Sequence, residues 1–108
     1  MNYEVRLTPK ANKDLCCIFE YIAFNLQSVQ NATSQLERLE KNIVNLNRMP
    51  ERFNLYEKEP WLSRNLRIMP VDNYLVFYIP NHNEKIVTVI RVMYGGRDID
   101  AQLNEGLN

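Results

Sequence analysis

The amino-acid sequence predicts an α+β domain in which one strand and a helical hairpin precede a three-strand antiparallel meander. Apolar residues alternate over 3–7, recur at helical spacing between 11 and 46, and form three further strand-like segments after residue 65. Strand-type and helix-type periods therefore occupy separate parts of the chain, which is typical of helices packed on one face of a sheet. The 108 residues are enough for one such domain, spanning 1–108.

The N-terminal part is predicted to be a strand followed by two helices. Thr8 and Pro9 form a typical helix start, because threonine caps free N–H groups and proline fits the first turn. The second helix is expected to begin near Ser28 and to end at Met49 and Pro50. The few residues between the helices predict a tight hairpin. The two buried stripes are expected on Ala11, Leu15, Ile18, Phe19, Ile22 and Leu26, and on Val29, Ala32, Leu36, Leu39, Ile43 and Leu46.

The C-terminal part is predicted to contain strands at 66–71, 74–79 and 85–93. The last strand is nearly continuous in apolar residues, so it should lie inside the sheet. His82 falls in the turn between the last two strands and is interpreted as a solvated turn residue. One further helical turn is expected at 99–103.

The segment 51–63 has no period and is predicted to be a surface connection. It contains the single tryptophan, Trp61. We interpret Trp61 as an anchor packed against the helices, with a docking or substrate-facing aromatic as the alternative.

The composition excludes several classes of function. Thirteen basic and thirteen acidic residues balance, which does not favour a strong non-specific nucleic-acid binder, although 64–97 holds five basic residues and two acidic ones. No apolar run approaches a membrane span and no signal peptide precedes the domain, so we expect a cytoplasmic protein without a membrane partner. Cys16 and Cys17 are adjacent, where a disulfide is strained, and are expected to be reduced thiols, one or both of them semi-buried. No motif for a metal, cofactor or nucleophile–base pair is present, and no cofactor is expected.

Arg91 is the first candidate for binding an anion. It lies in the otherwise apolar strand 85–93, where a buried guanidinium needs a carboxylate or a phosphate as its partner. An internal carboxylate such as Glu20 or Asp98 is the predicted structural partner.

Arg97 and Arg67 are two further cationic candidates. Arg97 follows two glycines just beyond the last strand, where loops on rigid scaffolds tend to carry function. The alternatives are that Arg67 is an ordinary solvent-facing strand residue and that Arg97 binds the C-terminal carbonyls or forms a salt bridge to Asp100.

The sequence also resembles a known family. The run VIRVMYGGRDI at 89–99 is similar to the C-terminal signature of the RelE/ParE superfamily of bacterial toxins, a hydrophobic strand ending in Val-x-(His or Tyr)-Gly-x-Arg-Asp. The run LRIMPVDNYLVFY at 66–78 resembles the paired middle strands, and 3–22 resembles the opening strand and helix. The resemblance covers almost the whole chain. It implies the toxin of a type II toxin–antitoxin system, a growth inhibitor that a small antitoxin protein holds inactive.

The resemblance leaves the cellular target open. The first expectation is a metal-independent endoribonuclease that cleaves ribosome-bound messenger RNA, with Arg67 and Arg97 stabilising the phosphate and Tyr94 stacking a base or relaying a proton. The predicted substrate- or partner-binding residues are Arg91, Tyr74, Tyr78 and Trp61. Leu75 departs from the ribonuclease pattern, because a second arginine would fall there, and 101–108 lacks a terminal histidine or tyrosine. The alternatives are a ParE-like inhibitor of DNA gyrase, which needs no catalytic residues, and a degenerate, inactive toxin.

Overall fold

The computed structural model describes residues 2–96 and 99–104. The elements follow in the order β1 (Glu4–Leu7), α1 (Pro9–Glu20), a π-helical turn (Tyr21–Asn25), α2 (Val29–Val44), 3-10 turns at Asn45–Asn47 and Pro50–Arg52, β2 (Arg67–Val71), β3 (Tyr74–Asn81), β4 (Ile86–Tyr94) and α3 (Ile99–Asn104). The predicted α+β class and order of elements are confirmed.

The four strands form one sheet in the order β1-β4-β3-β2. The three C-terminal strands are antiparallel neighbours, whereas β1 pairs with β4 in parallel, Leu7 lying opposite Val89. The apolar strand β4 is therefore central, as predicted. Its C-terminal end, at Tyr94, lies beside the first residue of β3, Tyr74, and this end of the sheet faces the helical hairpin.

Both faces of the sheet are covered. The helices pack on one face, where Leu15, Leu39 and Ile43 join buried residues of the strands such as Val76 and Val89. On the other face, residues of the connection after Arg52 and of helix α3 pack against the strands. This second cluster is composed of Trp61, Leu66, Phe77, Met93 and Leu103. The connection thus covers the sheet face that the helices leave free.

Trp61 is an anchor, but the predicted location of its contacts is wrong. The side chain is only 6% exposed and packs on the sheet face opposite the helices, not against them. The position follows from the path of the chain, because the segment between α2 and β2 crosses the uncovered face.

The hairpin departs from ideal helical spacing at its tip. The π-helical turn at Tyr21–Asn25 contains more residues per turn than an α-helix, and the side chains after it rotate away from the buried face. Leu26, predicted to be buried, is 57% exposed, and Val29 on the first turn of α2 is 59% exposed. Helix α2 ends at Val44, earlier than predicted.

The two cysteines are free, but both are exposed, so the prediction of semi-buried thiols is wrong. The buried residues of α1 are Ala11 and Leu15, and positions 16 and 17 lie on other sides of that helix. Within 2–96 and 99–104, no helix has the length and apolar composition to cross a membrane.

Candidate functional site

A groove of about 720 Å³ opens between the helical hairpin and the adjoining ends of β3 and β4. Asp14 and Arg91 lie at its floor, Ile18 and Ile22 belong to its helical wall, and Tyr94 lines it from the sheet. The groove is therefore built by segments from both halves of the chain.

An ion pair forms the floor of the groove. Arg91 donates from Nε and Nη2 to the two carboxylate oxygens of Asp14, at 2.8 and 3.0 Å, and from Nη1 to the carbonyl of Gln102 at 3.0 Å. The backbone N–H of Val92 also donates to Asp14, at 2.9 Å. The side chains of Arg91 and Asp14 are 13% and 16% exposed. The pair ties α1 and α3 to the central strand.

The need of Arg91 for an internal carboxylate was predicted correctly, but Glu20 is not that carboxylate. Glu20 accepts a hydrogen bond from the thiol of Cys16 instead, and Asp98 lies outside the described residues. Asp14 faces β4 because the N-cap residue Thr8 fixes the start of α1 to that strand, donating to the carbonyl of Ile90 at 3.0 Å.

Two tyrosines border the groove at the end of the sheet. Tyr74 and Tyr94 are directly opposite in the β3–β4 ladder, and their rings meet edge to face at 5.9 Å. Burial raises the pKa of Tyr74, with smaller contributions from Tyr94 and Tyr21. A Cβ at Gly96 would lie 2.8 Å from the Tyr94 ring, so a glycine there leaves room for the ring beside the turn.

The rim of the groove is held by polar contacts between α2 and the β2–β3 turn. Arg38 Nε and Gln35 Nε2 donate to the carboxylate of Asp72 at 2.8 and 2.9 Å. These two hydrogen bonds, that from Arg38 first, lower the pKa of Asp72. The turn is thereby fixed against the helix.

Arg67 and Tyr78 lie opposite each other on β2 and β3, away from the groove. Arg67 Nη1 donates to the carbonyls of Glu51 and Phe53 at 2.9 and 2.7 Å, so this half-buried side chain is not the solvent-facing residue of the alternative interpretation. Tyr78 is fully buried and donates to the carbonyl of Pro50 at 2.5 Å. Burial raises the pKa of Tyr78 to about 12.

The structure therefore divides the predicted site residues into separate places. Arg91, Tyr74 and Tyr94 meet at the groove, Arg67 and Tyr78 lie opposite each other farther along the β2–β3 pair, and Trp61 lies on the other sheet face. Arg97 lies outside the described residues, and its role remains a prediction.

Sequence reasoning missed Asp14 and the exposed tip of the hairpin. Asp14 had one available signal, since an acidic residue sits beside the apolar stripe of α1 next to Leu15. Tyr21 and Phe24, which are 52% and 68% exposed at the tip, had a weaker signal: both fall outside the predicted buried stripe, but nothing in the sequence marked them as part of a site. Among the described residues, no group of three or more potential metal ligands comes together.

Several solved structures share this fold. The chain aligns with a protein of the chromosomal ParDE toxin–antitoxin system from P. aeruginosa at a TM-score of 0.69 and 15% identity, over 85% of this chain and 95% of that one. A double mutant of the E. coli toxin RelE in the free state aligns at a TM-score of 0.68 and 16% identity, over 99% of this chain and 96% of that one. The toxin–antitoxin complex RelBE2 from Mycobacterium tuberculosis aligns at a TM-score of 0.62 and 20% identity, over 87% of this chain and 99% of that one.

The family assignment rests on the sequence itself. None of the curated proteins compared with the chain is significantly similar to it. The family model described as "ParE toxin of type II toxin-antitoxin system, parDE" matches residues 5–99, which include both long helices and all four strands except the first residue of β1, Glu4. The chain therefore belongs to the ParE toxin family of type II toxin–antitoxin systems.

Proposed function

We propose that this toxin acts by binding its target, as a ParE-like inhibitor of DNA gyrase, and not by cleaving RNA. The observation that carries the proposal is the separation of the candidate catalytic residues. Arg67 pairs with Tyr78 and Tyr94 pairs with Tyr74. Tyr74 and Tyr78 are four residues apart along β3, so the backbones of Arg67 and Tyr94 are separated by roughly 13 Å along the sheet.

Cleavage of an RNA phosphodiester needs a different arrangement. A group that moves a proton or stabilises the charged phosphorane must lie within about 3 Å of the reacting atoms. A backbone separation of roughly 13 Å disfavours the convergence of Arg67 and Tyr94 on one phosphate. In addition, Nη1 of Arg67 already donates to two backbone carbonyls. These contacts support a structural role for Arg67 and a toxin that needs no catalytic residue.

The experiment that tests this proposal offers both targets to the same purified toxin. One reaction contains gyrase and supercoiled plasmid, and the other contains programmed ribosomes with an empty A site. We expect the first reaction to contain gyrase trapped on cleaved plasmid DNA and the second to contain intact messenger RNA. Cleavage in the A site, lost in Arg67→Ala but kept in the folded control Arg64→Ala, would overturn the proposal in favour of messenger-RNA cleavage.

We further propose that the groove binds the C-terminal segment of a cognate antitoxin. The groove presents apolar side chains that are unusually exposed, among them Tyr21, Leu26 and Tyr94 at 52%, 57% and 49%. Neighbouring apolar side chains of this size favour a partner surface. An amphipathic segment that is disordered when free would bury its apolar side against these residues and expose its polar side at the rim, near Arg38.

A matched pair of substitutions tests the antitoxin proposal. Leu26 and Val44 are similarly exposed, at 57% and 61%, but only Leu26 lines the groove. Leu26→Asp should weaken binding of the protein encoded beside the toxin gene by about tenfold or more, because a charge would be buried at the interface. Val44→Asp should leave the affinity unchanged. Equal effects of the two substitutions would place the antitoxin elsewhere.

A further inference from the structure

A second cluster of polar side chains lies at the end of the sheet opposite the groove. Its cations are Arg48, Arg52 and Lys85, which we call the basic end. Lys85 directly precedes β4, whereas the groove lies at the other end of that strand, at Tyr94. The length of β4 places the two sites roughly 25 Å apart.

Three segments distant in sequence are tied together there. The backbone N–H of Tyr3 donates to the carbonyl of Asn47 at 2.7 Å, and its hydroxyl lies 2.7 Å from Nδ1 of His82. Nε2 of His82 is 3.0 Å from a carboxylate oxygen of Glu51. The ring of His82 lies between the hydroxyl of Tyr3, to which Nδ1 is hydrogen-bonded, and the carboxylate of Glu51, whose buried Oε2 has no hydrogen-bond partner in the described part of the chain. His82 is thus an exposed turn residue, as predicted, but it links the N-terminus, the turn after α2 and the β3–β4 turn.

The cations of the basic end have no acidic partner among the described residues. No described carboxylate oxygen lies within 4.0 Å of their side-chain nitrogens. Two of them are instead positioned by aromatic rings: Arg52 lies 4.9 Å from the centre of the Phe53 ring, and Lys85 lies 5.1 Å from that of Tyr3. Glu51 and Glu84 lie at the same end, so the three cations exceed these two carboxylates by one charge.

The arginines also border a small polar cleft. It has a volume of about 380 Å³ and is lined by Asn45, Asn47, Arg48 and Arg52. The amides and guanidinium groups supply N–H donors, and Arg52 Nη1 is held by the carbonyl of Arg48 at 2.6 Å. A planar guanidinium beside amide donors suits a phosphate oxygen better than an apolar ligand.

The backbone of the basic end is strained at two positions. Met49 and Lys85 have φ angles of 46° and 58°, in the left-handed region that glycine and asparagine adopt more easily. Met49 separates Arg48 from the turn that carries Arg52, and the conformation of Lys85 directs its side chain over Tyr3. Strain of this kind persists where the surrounding structure holds it, and it concentrates at functional sites.

We propose that the basic end binds the phosphodiester backbone of nucleic acid, with the cleft beside Arg48 and Arg52 taking one phosphate and Lys85 the next. This surface lies far from the groove, so nucleic acid and an antitoxin segment in the groove would bind at separate sites. The inference goes beyond the proposed function, because it concerns direct contact with nucleic acid in the absence of gyrase or the ribosome.

Salt-dependent binding of labelled oligonucleotides tests the proposal directly. The probes are a DNA duplex of about 20 base pairs and a single-stranded RNA of similar length, titrated by fluorescence anisotropy between about 20 and 150 mM NaCl. Neutralisation of two phosphates predicts a slope of log K against log salt of about −1.8 on the duplex and about −1.4 on the single strand. Comparison of the two probes tells which nucleic acid binds more tightly.

Charge-removing variants then locate the contact. Arg48→Gln and Arg52→Gln should each weaken binding several-fold for any base sequence and reduce the slope, because each removes a cation from the phosphate in the cleft. Lys13→Gln and Arg64→Gln remove the same charge elsewhere and should change neither quantity, with circular dichroism confirming the fold of all four. Absence of binding to both probes at low salt would overturn the proposal, as would equal losses in the control variants.

Discussion

Asp14 and Arg91, on α1 and β4, form a doubly hydrogen-bonded ion pair across the floor of the groove, at 2.8 and 3.0 Å. The same carboxylate accepts the N–H of Val92, and the same guanidinium donates to Gln102 of α3. The pair therefore joins α1, α3 and β4 at the floor of the groove and holds the end of β4 in place.

Removing Asp14 should strongly destabilise the fold. Asp14→Ala leaves the mostly buried guanidinium of Arg91 and the N–H of Val92 without this partner, at an expected cost of about 3–5 kcal/mol in the free energy of unfolding. Urea denaturation measures the loss. The control is Arg38→Ala at the rim, where the side chains of Arg38 and Asp72 are 53% and 42% exposed, and little change is expected. A small loss in Asp14→Ala would contradict the structural role of the pair.

The two helix caps should differ in their contribution to stability. Thr8 accepts from the N–H of Ala11 and also donates to Ile90 of β4, whereas Ser28 only accepts from the N–H of Asn31. Thr8→Ala should cost about 1–2 kcal/mol and Ser28→Ala about 0.5–1 kcal/mol. Equal losses in thermal or urea denaturation would show that the bond to β4 adds no stability.

Stability should fall at high pH because of Tyr78. Burial raises the pKa of Tyr78 to about 12, while an unfolded tyrosine has a pKa of about 10. As the pH rises, the unfolded state loses this proton first, so the stabilising contribution is complete below about pH 10 and is lost as the pH approaches about 12. The free energy of unfolding of the wild type should therefore decline more steeply across this window than that of Tyr78→Phe. Parallel pH profiles would contradict the prediction.

Trp61 should matter for stability and not for partner binding. The ring is 6% exposed, but its Nε1 is buried without a hydrogen-bond partner among the described residues. Trp61→Ala should cost about 3–5 kcal/mol, whereas Trp61→Phe should cost much less, because it removes no hydrogen bond. Antitoxin affinity, measured by titration calorimetry on Trp61→Phe, should equal that of the wild type. A stable Trp61→Phe variant with weakened affinity would support the alternative, a docking aromatic.

Much of the fold follows from short-range patterns. The alternation at 3–7, the helical stripes and the apolar run at 85–93 predicted β1, the hairpin and the central position of β4. Thr8 and Ser28 marked the helix starts, because capping involves a side chain and an N–H only three residues away. Such features can be predicted from the sequence because the capping side chain and the N–H that it binds are close together in the chain.

The site depended on contacts that only the tertiary structure decides. Arg91 needs a negative partner because burial removes water from its guanidinium. Its partner Asp14 is 77 positions away in the chain, and only the packing of α1 on β4 brings the two side chains together. Likewise, Arg67 is bound by the carbonyls of a connection that has no periodic pattern. The sequence by itself determined which elements form and which side chains require partners. The packing of those elements determined which partners they meet, because long-range pairings depend on the geometry of the whole domain.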